Sequence, residues 1–89
     1  MISVTENAKR VLKTMLTAYK EADPEKGLRL LPNSKGEFAL ALDTELAGDQ
    51  VVEYQGSAVL LVGIEYFKLL DGKMVDCRDT EDRTELFVH

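Results

Sequence analysis

Two side chains able to ligate a metal or attack an electrophile, Cys77 and His89, stand near the end of the sequence. A thiolate and an imidazole together could hold zinc or form a nucleophile–base pair. Their spacing supports neither, because they lie 12 positions apart with no third group to orient the ring. Cys77 is the only cysteine, which excludes an intrachain disulfide, a zinc ribbon and a CxxC redox motif. It shares strand parity with Val75 and is expected to pack as a small hydrophobe. Asp76 and Asp79 should raise its pKa, with Arg78 a partial offset. His89 is expected to fray and to lack the supporting hydrogen bonds of metal-bound histidines. Glu81, Asp82 and Glu85 could meet a hard cation, but their spacing is not that of an EF-hand, and a solvated acidic loop is the simpler reading. The loop at Gly36 has too few glycines and no lysine–hydroxyl pair for a phosphate cradle. The residues therefore predict no catalytic group and no cofactor-binding group. Cys77 and His89 are the candidates should any metal be held.

The elements that must position these residues belong to an ordinary globule of 89 residues, 45% hydrophobic and 30% charged. No apolar run approaches the roughly 20 residues of a membrane span, and Met1-Ile2-Ser3 opens no signal peptide, so a cytoplasmic protein is expected. The net charge is −5 and uneven. Residues 1–20 carry Lys9, Arg10, Lys13 and Lys20 against Glu6, whereas residues 21–89 carry 7 basic and 15 acidic groups. Such a surface repels phosphate backbones, so no nucleic acid is expected as a partner. The basic helix face could meet an acidic protein, although a solvated face is the simpler reading.

Ile2 to Val4 reads as a short strand. Thr5 then caps a helix, unless Ser3 and Glu6 form a capping box instead. Ala8, Val11, Leu12, Met15, Leu16 and Tyr19 make the apolar stripe, with Lys9, Arg10 and Lys13 opposite and Glu6–Arg10 oriented as an i,i+4 pair. Asp23-Pro24 and Gly27 should end the helix near Ala22. Leu28 to Leu31 and the strand from Phe38 follow, joined by Pro32 to Gly36. Phe38, Leu40 and Leu42 give the latter a bulky face, and Ala39 and Ala41 a smooth one open to another layer or subunit.

Val51 to Tyr54 and Ser57 to Val62 flank Gln55-Gly56 as a hairpin, with a longer turn as the alternative because Gln is not favoured there. Ile64 to Leu70 is a short helical segment with Ile64, Phe67 and Leu70 on one face, stopped at Gly72. Lys73 to Cys77 and Glu85 to Val88 are the last strands. Tyr54, Tyr66 and Phe67 read as packing residues. One N-terminal amphipathic helix, about six short strands and a second helical turn predict a mainly β or α+β domain spanning 1–89, with short mixed sheets packed as a small sandwich or barrel.

This order of elements resembles the A-type iron–sulfur cluster carrier family, also called HesB-like. The resemblance rests on Ile2-Ser3-Val4-Thr5-Glu6-Asn7-Ala8, on Leu28-Arg29-Leu30, and on Asp49-Gln50-Val51-Val52-Glu53 with Gly56 and Val59-Leu60-Leu61-Val62. Leu69 or Leu70 with Gly72, then Val75-Asp76, completes it. It implies a compact fold of short mixed sheets, dimers or higher oligomers, and iron or a cluster held by three cysteines and delivered to acceptor proteins. The first of those cysteines precedes the strand that starts at Phe38, where this sequence has Ser34-Lys35-Gly36-Glu37. The other two form a Cys-x-Cys tail beyond the last strand, and here the sequence given ends at Val88-His89. All three ligands are expected to be missing, and a dimer would offer two cysteines against the four thiolates typical of a cluster.

The resulting expectation is a non-enzymatic HesB-like protein without the cluster-binding cysteines and without a cofactor, working through protein contacts linked to iron–sulfur cluster biosynthesis. Its partners would be a cysteine-bearing relative, a cluster donor or a second copy of itself. The alternative is an iron or iron–sulfur protein that uses Cys77 across a dimer interface, with an external thiol such as glutathione.

Overall fold

A computed structural model describes residues 1–19, 26–33 and 38–89. β1 (Ser3–Val4) leads into α1 (Glu6–Tyr19), followed by β2 (Gly27–Pro32), β3 (Phe38–Asp43), β4 (Gln50–Tyr54) and β5 (Ser57–Val62). A 3₁₀ turn (Ile64–Tyr66) runs into the one-turn α2 (Phe67–Leu70), and β6 (Met74–Asp79) and β7 (Thr84–Val88) complete the order. Seven strands are described, one at each segment read as a strand from the sequence.

Thr5 decides where α1 begins. Its hydroxyl accepts a hydrogen bond from the Ala8 N–H at 3.1 Å, the bond a capping residue makes to the third helical position. Glu6 pairs with Lys9 at 3.2 Å instead of the expected Arg10. Ala8, Leu12 and Leu16 are fully buried, whereas Tyr19, predicted to close the apolar stripe, is 55% exposed. The expected stop near Ala22 lies outside the described residues.

The strands form two mixed sheets, ordered β1-β6-β7 and β3-β2-β5-β4. β1 runs parallel to β6 and β2 parallel to β5, while the β2/β3, β4/β5 and β6/β7 pairs are antiparallel. α1 packs against β2, β4, β5 and β6, so it contributes to both layers. Its Leu12 and Leu16 meet Leu30, Val59, Leu60, Val62 and Val75 in the core. Each such side chain contributes roughly 1.5–3 kcal/mol by leaving water.

A bulge explains why β5 reads as an unbroken apolar run. Its register passes from Val52↔Leu60 to Glu53↔Ala58, which leaves Val59 without an opposite number. Val59 and Leu60 therefore both enter the core, although they are consecutive. The turn beyond is the tight one: Tyr54 pairs with Ser57, and both Gln55 (φ 51°) and Gly56 (φ 79°) take left-handed backbone. Two positive φ angles match the hand of the strand twist. In the short helical segment Leu70 is buried but Ile64 is 59% exposed, so the predicted three-residue face is only partly seated.

Candidate functional site

The two sheets part between β3 and β7, each the edge strand of its sheet. Phe38 and Leu40 from β3, Leu86 and Val88 from β7, and Met15 from α1 line a groove of about 600 Å³. All five are partly buried hydrophobics packed against the core, so the groove is the open side of the core itself. The hydroxyl of Thr84, at its rim, donates to Asp79 at 2.8 Å. Among the described residues the wall is carbon apart from that hydroxyl and the main chain. It can exclude water and hold an apolar group, but among the described residues it offers no general base and no nucleophile.

Two of the lining residues, Phe38 and Val88, are ones beside which the sequence resemblance put its expected ligand positions, directly before the former and after the latter. Ser34-Lys35-Gly36-Glu37, read as replacing the first cysteine, lie outside the described residues. The 89 residues contain one cysteine, against the four thiolates typical of a cluster. Among the described residues no group of three His, Cys, Asp or Glu side chains is placed to hold a metal.

Cys77 and His89 are held on opposite sides of one sheet. Cys77 pairs with Leu86, and Val75 with Val88, so alternation places the thiol on the core side with buried Val75. Burial raises its pKa, Asp76 and Asp79 raise it further, and Arg10 works in the other direction. The half-buried group is thereby held toward the neutral thiol, a weaker ligand and nucleophile than a thiolate. His89, expected to fray, instead continues the ladder: it exchanges backbone hydrogen bonds with Met74 at 2.8 and 2.9 Å. Its ring lies 5.2 Å from that of Phe87, and its Nε2 is 3.9 Å from Asp76 Oδ2. Asp76 is already committed, its Oδ1 accepting from the Thr5 hydroxyl at 2.9 Å and from the Cys77 N–H at 2.8 Å.

Arg29 is a structural charge that sequence reasoning passed over as one residue of a strand. It is buried, yet its Nε donates to Asp43 at 2.6 Å, its Nη2 to Asp49 at 2.7 Å and its Nη1 to the other Asp49 oxygen at 3.1 Å. Nη2 also reaches the Thr44 carbonyl at 3.0 Å. Hydrogen bonds from the guanidinium hold both carboxyls below the usual carboxylate range, while the Asp49 bond, the largest effect on Arg29, raises its pKa. The sequence shows a lone cation in a strand with aspartates 14 and 20 positions later, a separation that does not by itself predict contact. With four of its five N–H donors taken, the network fastens the 44–49 loop over the outer face of β2.

Several other charged groups are also engaged. Glu85 takes Arg83 at 3.0 Å and Arg78 at 3.3 Å, which lowers its pKa. On α1, Lys9 is turned to Glu6 and Lys13 to the Ser57 hydroxyl at 2.5 Å, leaving Arg10 exposed on the outer face. Across β2 and β3, exposed Ala39 stands opposite Leu31, which is 36% exposed, and half-buried Ala41 stands opposite Arg29. This is the smooth face expected from the sequence. Among the described residues no helix is long and apolar enough to cross a membrane.

No family model matches the chain, and no curated protein matches it. Solved structures do. Escherichia coli SufA, involved in biosynthesis of iron–sulfur clusters, aligns with a TM-score of 0.76 at 21% identity, over 99% of this chain and 83% of its own. IscA, solved with the [2Fe-2S] cluster, aligns at 0.67 and 19% identity, over 100% of this chain and 84% of its own. An Aquifex aeolicus protein solved by NMR aligns at 0.60 and 22% identity, over 99% and 89% of the two chains. IscA corrects the expectation of no cofactor. The same fold holds a cluster there, so the architecture gives no ground for a cofactor-free reading. The sheets do not close into a barrel, and the HesB-like architecture expected from the sequence is the one observed: this chain has the fold of SufA and IscA.

Proposed function

We propose that this chain is a non-enzymatic contact protein of iron–sulfur cluster biogenesis, folded as one domain over residues 1–89 and working in the cytoplasm. The observation that supports the reading is a combination: the fold of SufA and IscA, with an apolar groove lined by Phe38 and Val88, beside which the resemblance puts its ligand positions. The partner is a cysteine-bearing protein of the same fold or a cluster donor, and a second copy of the chain is the competing occupant. The smooth Ala39/Ala41 face, with Leu31 beside it, is the contact surface, because small side chains let another layer approach closely. Exposed Arg10 on α1 adds a cation that an acidic partner would meet. The acidic remainder of the surface disfavours nucleic acid.

Titration calorimetry against purified SufA and IscA tests this. Binding in the micromolar range, on the order of −8 kcal/mol, is expected. It should be abolished by Ala39→Glu, which buries a carboxylate in the contact, and weakened several-fold by Arg10→Glu. No heat with either protein or with a cluster donor, and the same null result from pulldown, would end the proposal. Anaerobic reconstitution with iron and sulfide addresses the alternative. A stoichiometric cluster that disappears in Cys77→Ser would replace the contact reading with one in which two copies grip iron through Cys77.

A further inference from the structure

We draw no further inference here: the strongest candidate, the apolar groove between β3, β7 and α1, belongs to the site already described, and nothing in the structure shows what covers it.

Discussion

The side-chain amide of Gln50 donates to the Ile2 carbonyl at 2.8 Å and accepts from the Ile2 N–H at 3.2 Å. Gln50 opens β4, an edge of one sheet, and Ile2 stands just before β1, an edge of the other. One amide thus does for Ile2 what a neighbouring strand would do, closing the seam between the sheets on that side. At the β3/β7 seam the groove remains instead.

Replacing Gln50 by Ala would strand both polar groups of Ile2, a residue only 5% exposed. A loss of about 1–3 kcal/mol is expected, because a buried backbone group without a partner costs its desolvation. Urea unfolding reads the loss as a lower midpoint at unchanged slope. Gln50→Glu should recover part of it, since a carboxylate can accept from the N–H but cannot donate to the carbonyl. Equal stability of all three proteins would show the clasp to be idle.

Arg29 and Asp49 make stability depend on acid. Asp49, with a side chain 2% exposed, has its pKa lowered from 3.8, so the folded state prefers the carboxylate more strongly than the unfolded state does. That preference stabilises the fold fully above the unfolded value and fades as pH falls through the lower, folded one. Stability should therefore decline below about pH 4. Asp49→Asn should be less stable at neutral pH and should lose less on acidification. Arg29→Met, which leaves the buried Asp49 charge unpaired, should cost about 3–5 kcal/mol. Parallel pH curves for wild type and Asp49→Asn would refute the assignment.

Gln55 occupies a conformation that a β-carbon disfavours, with φ at 51°. Asparagine adopts this backbone more readily, and Asn-Gly is a preferred pair in such turns. Gln55→Asn should stabilise the protein by a few tenths to about 1 kcal/mol, with no change in the Tyr54↔Ser57 pairing. A neutral or negative change in the urea midpoint would mean that the Gln55 side chain makes a compensating contact.

Cys77 should alkylate slowly. Its pKa is raised above 9.0, first by burial and then by Asp76 and Asp79. The iodoacetamide rate should therefore inflect above that value. Arg10→Ala should move the inflection up and Asp79→Asn should move it down. Rapid reaction at pH 7 would mean an exposed thiolate and would revive the metal-binding alternative.

Much of the architecture was legible because it follows from local pattern. The i, i+4, i+8 spacing of Ala8, Leu12 and Leu16 fixed the buried face of α1, and the alternation of Phe38 and Leu40 with Ala39 and Ala41 separated the two faces of β3. Gln55-Gly56 marked its turn through glycine. Tyr19 and Ile64 misled because periodicity says which residues share a face, not how far the opposing layer extends. The Arg29 network was missed for a related reason. A cation in a strand looks solvated until the return of the chain brings Asp43 and Asp49 beside it.

By itself the sequence settled the chemical inventory: one thiol, one imidazole, an acidic surface and the order of helix and strands. Tertiary structure alone decided what these can reach. Strand register turned Cys77 and His89 to opposite faces, and the pairing of β6 with β7 carried the end of the chain beside β3 to form the groove. Contacts between residues far apart in number depend on how the layers close, and no local spacing records that closure.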